Sequence, residues 1–270
     1  MNQVNRALMR VRPASLASAL KRLLRIRRRV VATQAGRFYI DPVSNFGVGV
    51  QQERCYEPEL SDAVRALLRE GDVFVDVGAN EGFFSILASK AVGPTGHVIA
   101  IEPQSRLQCV LARNIRENGA LNIDVIQRAI SDTAGVATLS ISPDMNTGSS
   151  GLFRTTRYGV PTQDVLQTTL ESLFKLFSLH SVRLMKMDIE GFEYEALLGS
   201  RDIFRDGTIE YLALELHPTI LSRRGKAEKD ILDFLDECGY RRDERFDTFI
   251  LAKTDVRMPA GSSPGSSMSR

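Results

Sequence analysis

A short apolar run followed by a glycine-rich turn, at residues 73–84, constrains the fold of this chain more than any other feature. The run is rich in β-branched residues, which favours a strand buried on both faces. Asp76 stands near its carboxyl end, and Gly78 and Gly82 allow a tight turn into a helix. The spacing fits neither a dinucleotide-binding G-x-G-x-x-G nor a phosphate-binding G-x-x-x-x-G-K-[ST]. The segment therefore predicts a ligand-binding strand–turn–helix unit of an α/β sheet.

An acidic residue at the end of the next apolar run supports this interpretation. Glu102 closes the predicted strand 97–102 and precedes Pro103. A carboxylate at a strand end accepts hydrogen bonds from both hydroxyls of a ribose. Taken alone, Glu102 is equally consistent with a solvated turn, but a glycine loop at a βαβ distance before it favours the ligand role. The two segments resemble the first motifs of Rossmann-like methyltransferases that use S-adenosylmethionine.

Strand and helix patterns alternate through the body of the chain, which predicts a parallel sheet with helices on both faces. The predicted core strands are 73–77, 97–102, 123–130, 183–188, 211–216 and 249–251. Turn signals predict a short hairpin at 37–50. A further strand is predicted at 136–141, and residues 142–163 are polar and predict a long loop.

Ionisable residues gather where two of the later strands end. The fourth core strand runs into a K-x-D-x-E-G-x-E pattern formed by Lys186, Asp188, Glu190 and Glu193. The fifth ends with Glu215 and His217. Acids near a helix N-terminus are also favoured by its dipole, and a single histidine is usually structural. Because both strand ends meet at the edge where substrate and cofactor should lie, the pattern favours a functional cluster.

These segments together resemble the FkbM family of methyltransferases, from about Tyr56 to Leu251. The matching motifs are Tyr56-Glu57-Pro58, Asp76-Val77-Gly78-Ala79-Asn80-Glu81-Gly82, Glu102-Pro103, Asn114-Ile115 with Asn118, Ala129-Ile130-Ser131-Asp132, Thr169-Leu170-Glu171, Lys186-Met187-Asp188-Ile189-Glu190-Gly191-Phe192-Glu193 and Glu215-Leu216-His217. Two positions depart from the family, which usually has aspartate where Glu171 stands and a small residue where Phe192 stands. Glu171 keeps the charge, whereas Phe192 is expected to narrow the substrate side.

The resemblance implies an α/β, Rossmann-like class I methyltransferase fold with a doubly wound, mostly parallel, seven-stranded sheet. It implies S-adenosylmethionine as cofactor and O-methylation of a hydroxyl on a sugar, glycan or natural-product scaffold. The residues expected to bind the cofactor are Asp76, Gly78, Asn80, Gly82, Glu102 and Asp132, the last at the adenine amino group. The residues expected to be catalytic are Asp188, Glu190 and His217.

Methyl transfer to an alcohol needs assistance, because an aliphatic hydroxyl is a poor nucleophile. By position, Asp188 or Glu190 is the expected base, with His217 next. The same acids are able to hold Mg²⁺, which prefers carboxylates and water. The base interpretation is favoured, and no metal site is assigned from the sequence.

Charge is unevenly distributed along the chain. Residues 1–40 hold ten Lys or Arg and no acid, whereas the remainder holds 25 basic and 33 acidic residues. The chain is therefore predicted to comprise a basic extension (1–36), a methyltransferase domain (37–253) and a disordered tail (254–270). Three widely spaced cysteines without a C-x-x-C pair argue against a disulfide framework or a zinc site.

The basic extension also bears on localisation. It has no continuous apolar core, which argues against a secretory signal, and no stretch of the chain reaches the roughly 20 apolar residues that cross a bilayer. A cytoplasmic protein is expected. Leu16, Leu20, Leu23 and Leu24 form a helical stripe among basic residues. The stripe is consistent with a solvated basic helix, peripheral membrane contact through residues 1–35, nucleic-acid binding or an organelle transit peptide.

Three other classes of protein were weighed. A nucleic-acid methyltransferase is disfavoured, because Asp188-Ile189-Glu190-Gly191 stands where an Asn/Asp-Pro-Pro-aromatic motif is expected and the acidic cleft opposes a phosphate backbone. A non-catalytic cofactor-binding scaffold is disfavoured by the number of strand-end acids. A nicotinamide-dependent dehydrogenase is least favoured, because the third glycine of its fingerprint is absent. The expected partner is a small-molecule or glycan acceptor.

Overall fold

The computed structural model of the chain describes residues 8, 11, 14–53, 56–141, 151 and 161–254. In chain order the strands are β1 (Arg29–Ala32), β2 (Arg37–Ile40), β3 (Val73–Val77), β4 (His97–Ile101), β5 (Ile123–Ile126), β6 (Ala129–Ile130), β7 (Gly135–Ser140), β8 (Thr162–Thr168), β9 (Val182–Met187), β10 (Ile209–Leu214), β11 (Tyr240–Arg242) and β12 (Ile250–Lys253). The helices are α1 (Ala14–Leu23), α2 (Asn45–Glu53), α3 (Pro58–Leu67), α4 (Phe83–Val92), α5 (Ser105–Glu117), α6 (Leu170–Leu176), α7 (Glu193–Leu198), α8 (Arg201–Arg205), α9 (Pro218–Arg223) and α10 (Glu228–Glu237).

Seven strands form the main sheet, in the order β5-β4-β3-β9-β10-β12-β11. Strands β5, β4, β3, β9 and β10 are parallel, and β12 runs antiparallel to both of its neighbours. The chain moves outward from β3 to β5 and later returns to lay β9 on the other side of β3. The crevice at such a reversal, at the carboxyl ends of the strands, is where open α/β sheets bind ligands. The mostly parallel seven-stranded sheet that the sequence predicts is confirmed.

Apolar side chains cover both faces of this sheet, which makes it doubly wound. On β3, Phe74 points into one core, with helices α3 and α4, while Val75 and Val77 point into the other, with α6, α7, α8 and α10. This alternation follows from the two-residue period of a strand. Burial on both faces fixes the register of β3, and with it the position of the turn that follows.

A smaller sheet lies beside the main one, with β8 between β6 and β7. Strand β6 is parallel to β8, and β7 is antiparallel to it. The predicted strand 123–130 was therefore wrong as a single element, because the chain leaves the main sheet after Ile126 and joins the smaller sheet at Ala129. The predicted loop 142–163 was also too long, since β8 begins at Thr162. The rest of that loop lies outside the described residues, apart from Gly151 and Pro161.

The hairpin predicted at 37–50 is wrong in its position. Strand β2 pairs with the earlier strand β1, antiparallel, and the chain then enters helix α2. The turn signals at 41–45 end the strand and start the helix: Ser44 Oγ accepts a hydrogen bond from the N–H of Gly47 at 2.9 Å. Serine in this position is a helix N-cap, so these residues carry a capping signal that the strand interpretation missed.

The basic extension is in contact with the body at several points. Arg28 donates two hydrogen bonds to Glu81, at 2.8 and 2.9 Å, and Lys21 forms an ion pair with Asp41. The hairpin β1–β2 crosses the boundary predicted at residue 36. Of the predicted tail 254–270, residues 255–270 lie outside the described residues. Within the described part of the chain, no helix is both long enough and apolar enough to cross a membrane.

Candidate active site

Two glycines shape the turn after β3, and any other residue at either position would be strained. Gly78 has φ +88° and Gly82 has φ +85°. A Cβ on Gly78 would lie 1.9 Å from the backbone oxygen of Asp188, and one on Gly82 would lie 2.3 Å from Leu111 Cδ1. Asn80, between them, also adopts a left-handed conformation, with φ 51°. The loop therefore packs directly against the end of β9 and forms one wall of the crevice.

Glu102, after β4, is held by the backbone on both sides. Its Oε2 accepts the N–H of Asn80 and its Oε1 accepts the N–H of Gln104, each at 2.9 Å. Burial raises the pKa of Glu102 to about 6, although these two hydrogen bonds act in the opposite direction. The carboxylate is therefore fixed in position at the crevice, where it is able to accept hydrogen bonds from a ligand.

Asp76 and Lys186 form a buried connection beneath the glycine loop. Asp76 is fully buried and accepts a hydrogen bond from Ser85 Oγ at 2.6 Å. Lys186 Nζ lies 3.7 Å from Asp76 Oδ1 and 3.7 Å from Asp188 Oδ2, and it donates to the carbonyl of Gly78 at 3.2 Å. Burial raises the pKa of Asp76, whereas the neighbouring Asp188 and Asp76 raise the pKa of Lys186 against the effect of burial. Lys186 thus ties the loop after β3 to the acid after β9.

Asp188, Glu190 and His217 converge at the ends of β9 and β10. Their nearest ligand atoms all lie within 4.8 Å of one another. His217 Nε2 is 3.8 Å from Asp188 Oδ1 and 3.6 Å from Glu190 Oε2. On its other side, His217 Nδ1 lies 3.0 Å from Oε1 of the buried Glu193. The structure therefore brings together the three residues that the sequence singled out, with Glu193 as their neighbour.

The pKa values of two members of the cluster are raised. Burial and the surrounding acids raise the pKa of Glu190 to about 7, although His217 acts to lower it. Burial acts to lower the pKa of His217, but the hydrogen bond and charge of Glu193, with Glu190 and Asp188, outweigh it and raise the pKa to about 9. Such perturbed groups in a crevice are typical of catalytic or ligand-binding sites.

Two cavities open at this edge of the sheet and meet at Asp188. The first holds about 570 Å³, including space open to solvent, and is lined by Gly78, Glu102, Ile130 and Asp188, among others. The second holds about 740 Å³ on the same measure and lies over β10, where Asp188 and Glu215 line it. Asp188 is part of the wall of both.

The structure brings most of the predicted site residues together, with one exception. Gly78, Asn80, Glu102, Asp188 and Glu190 line the first cavity, Asp76 lies beneath the loop, Gly82 closes the turn, and His217 completes the cluster. Asp132 is exposed after β6 and is not among the residues that line the cavity. Phe192 lines the first cavity, with the Arg224 guanidinium 3.7 Å from its ring centre, and the expectation that it narrows the substrate side stays a prediction.

Other lining residues were missed by sequence reasoning. Glu57 lines the second cavity and has a left-handed backbone, φ 44°, at the start of α3. The motif Tyr56-Glu57-Pro58 was part of the family resemblance, but it predicted no role for Glu57. Arg128, just before β6, and Leu139, on β7, also line the first cavity. No local pattern marks them, because they reach the site through the pairing of distant strands.

Comparison with known families decides the assignment. The family described as the methyltransferase FkbM domain matches residues 76–242, which is more than half of the chain. The chain belongs to the FkbM methyltransferase family. This confirms the family predicted from the sequence, and with it the class of enzyme, a methyltransferase. The family match covers every strand of the main sheet from the end of β3 to β11 and both clusters of predicted site residues.

Individual relatives are more distant. An FkbM methyltransferase from Methylobacillus flagellatus KT is 18% identical, with a TM-score of 0.41, over 71% of this chain and 50% of that one. A methyltransferase from Aquifex aeolicus is 17% identical, with a TM-score of 0.39, over 73% of this chain and 88% of that one. An arsenite methyltransferase from Halobacterium salinarum is 25% identical over 115 residues, which span 38% of this chain but only 29% of that protein. The family assignment rests on the family match rather than on these alignments.

Proposed function

We propose that this FkbM-family protein transfers a methyl group from S-adenosylmethionine to a hydroxyl oxygen of a small-molecule or glycan acceptor. The observation that carries the proposal is the shared wall at Asp188, where the crevice beside the glycine loop meets the cavity over β10. A donor in the first cavity and an acceptor in the second would have their reacting groups adjacent. Holding two reactants in line is the main contribution that a methyltransferase has to make.

The first cavity suits the cofactor. Glu102 would accept the ribose hydroxyls, the backbone at Gly78 would approach the methionine part, and Ile130 with Leu139 would provide an apolar wall for the adenine. The glycine at 78 supports this placement, since a Cβ there would collide with the backbone of Asp188. When bound, S-adenosylmethionine supplies an electrophilic methyl group on a positively charged sulfur. Asp132 is left out of the proposed contacts because it lies outside the lining of this cavity.

The second cavity suits a polar acceptor. Glu57, Asp188, Glu215 and Glu228 line it together with Lys186, and Leu60, Leu216 and Phe249 give it apolar walls. This mixture fits a hydroxylated scaffold and opposes a phosphate backbone. Asp188, Glu190 and His217 are placed to promote the loss of the acceptor's hydroxyl proton as the O–C bond forms and the S–C bond breaks.

Methyl transfer from labelled S-adenosylmethionine to a panel of acceptors tests the proposal. The panel contains sugars, oligosaccharides and hydroxylated polyketides, with amines and nucleic acids as comparison classes. We expect the label to appear in one class of hydroxylated acceptor. The Asp188→Asn variant should lose this transfer. The control variant Asp233→Asn, which changes an exposed aspartate of α10, should retain it. Label in nucleic acid alone would contradict the proposal. Cofactor binding without transfer to any class would favour a non-catalytic scaffold.

We propose in addition that the basic extension makes peripheral contact with anionic membrane. Leu23 and Leu24 are 77% and 51% exposed, and Arg25 and Arg27 beside them are exposed as well. Exposed leucine next to arginine favours the boundary between headgroups and acyl chains. Vesicles containing phosphatidylserine should sediment the protein, and the double variant Arg25→Glu/Arg27→Glu should reduce this. Equal sedimentation of both proteins would contradict the contact. Deleting residues 1–35 is a poorer test, because it also removes Arg28 from Glu81.

A further inference from the structure

His217 is within ion-pair distance of the acids of the cluster, but farther from them than in a hydrogen bond. His217 Nε2 lies 3.6 Å from Glu190 Oε2, 3.8 Å from Asp188 Oδ1 and 3.9 Å from Glu215 Oε1. All three distances exceed the usual length of a hydrogen bond. The nearest ligand atoms of Asp188, Glu190 and His217 lie within 4.8 Å of one another. Ligands bound at about 2.1 Å to an octahedral ion lie about 3 Å apart, so a contraction of the cluster would bring the three atoms to neighbouring positions of such a shell.

His217 is oriented as a metal-binding histidine usually is. Its Nδ1 faces Oε1 of Glu193 at 3.0 Å, and Glu193 is fully buried. The same oxygen accepts the N–H groups of Ile189 and Gly191, at 3.2 and 3.1 Å. With the Nδ1 proton facing this carboxylate, Nε2 points at the cluster, and a cation bound there would take the place of the Nε2 proton. A carboxylate behind the imidazole is the common arrangement around ligating histidines.

Asp188 provides a second and independent indication. Its Oδ1 atom is inaccessible to solvent and has no hydrogen-bond partner among the described residues. The other oxygen, Oδ2, lies 3.7 Å from Lys186 Nζ, so the unpartnered oxygen is the one that faces His217. Leaving a buried carboxylate oxygen without a partner costs free energy. A cation at the centre of the cluster would remove that cost.

We propose that Asp188, Glu190 and His217 bind a divalent cation, Mg²⁺ or Mn²⁺, at the junction of the two cavities. Carboxylates and water are the ligands these ions prefer, and the single imidazole favours Mn²⁺. The role of the ion rests on the proposed function: it would hold the acceptor oxygen beside the cofactor cavity and stabilise its negative charge as the hydroxyl proton passes to solvent.

Mn²⁺ titration followed by electron paramagnetic resonance tests the site without any acceptor. Metal-stripped full-length protein is expected to bind one Mn²⁺ per chain and to bind it in competition with Mg²⁺. Asp188→Asn and His217→Ala are each expected to weaken binding about tenfold or more. His97→Ala is the matched control, since His97 is a surface histidine whose Nε2 lies 2.7 Å from Asp124 Oδ2. That variant should bind Mn²⁺ as the wild type does.

Two outcomes would overturn the metal site. One is a wild-type protein that binds S-adenosylmethionine, and is therefore folded, but does not bind Mn²⁺ either with or without the cofactor. The other is equal Mn²⁺ affinity in the wild type and in a His217→Ala variant that still binds the cofactor. Stoichiometric Mn²⁺ binding without methyl transfer to any hydroxylated acceptor would support the site and count against the proposed function instead.

Discussion

Glu102 combines a fixed position with an unusual proton affinity. Two backbone N–H groups, from Asn80 and Gln104, hold its carboxylate, and burial raises its pKa to about 6. The carboxylate is thus charged at neutral pH, but it takes up a proton at a higher pH than the carboxylate of an exposed glutamate does. A ligand that donates hydrogen bonds to the carboxylate would stabilise the charged form. Replacing Glu102 should therefore change both the affinity for the cofactor and the dependence of that affinity on pH.

Replacing this carboxylate should weaken cofactor binding while leaving the fold intact. Glu102→Gln removes a charged acceptor, and a hydrogen bond to a charged group contributes about 1.5–3 kcal/mol, so affinity for S-adenosylmethionine should fall about tenfold to a hundredfold. Calorimetric titration measures the change. Glu244→Gln, at an exposed glutamate after β11, is the control and should bind as the wild type does. An unchanged affinity in the Glu102→Gln variant would contradict the proposed contact between Glu102 and the ribose of S-adenosylmethionine.

The pH dependence of binding follows from the same group. The raised pKa means that the carboxylate is protonated as pH falls through about 6. Affinity for S-adenosylmethionine should be constant above pH 7 and decline below 6, by up to about tenfold per pH unit for one proton. Lys186 stays charged throughout, since its pKa is raised. The decline should be absent in Glu102→Gln. An equal decline in that variant would assign it to another group.

At the scale of elements, the turn from β3 into α4 depends on the absence of a side chain at Gly78. Gly78→Ala should cost about 3 kcal/mol or more, because φ is positive and the new Cβ would collide with the end of β9. Gly119→Ala is the matched control, since Gly119 has φ +60° with nothing within 4 Å of an added Cβ. That change should cost about 1 kcal/mol. Equal losses in thermal unfolding would contradict the account of the turn.

The hairpin β1–β2 braces the cofactor loop through one ion pair. Arg28 donates both terminal nitrogens to Glu81, which is 1% exposed and directly follows Asn80. Arg28→Ala would leave that carboxylate buried without its partner, at a cost of about 3 kcal/mol, and should weaken cofactor binding as well. Adding Glu81→Gln to Arg28→Ala should restore much of the stability. Arg27→Ala, at an exposed neighbour, should have no effect, and an equal loss there would contradict the bracing.

The sequence predicted the elements whose signals are local. The strand, turn and acid around Asp76, Gly78 and Glu102 lie within thirty residues, and the pattern of glycines and apolar residues specified them. The hairpin was misplaced because the turn residues near Ser44 cap a helix. The contact of Arg28 with Glu81 was not predicted, because it joins residues 53 apart in the chain. The capping and pairing partners of such residues are set by tertiary packing.

At the scale of the whole molecule, two cavities and a basic extension surround one edge of the sheet. Sequence motifs predicted several residues that line the first cavity, whereas they did not predict the second cavity, because α3, β10 and α10 build it from distant parts of the chain. The acids of that cavity belong to the net-negative body, and the positive charge is concentrated in the extension.

The most direct test of the account is a calorimetric titration of S-adenosylmethionine into the full-length wild-type protein at pH 7.5. The crevice at the carboxyl ends of β3 and β4 predicts one cofactor per chain with a micromolar dissociation constant. Thermal unfolding in the same buffer establishes that the protein is folded. A well-folded protein that takes up no S-adenosylmethionine, even at millimolar concentration, would contradict the assignment of this crevice as the cofactor site.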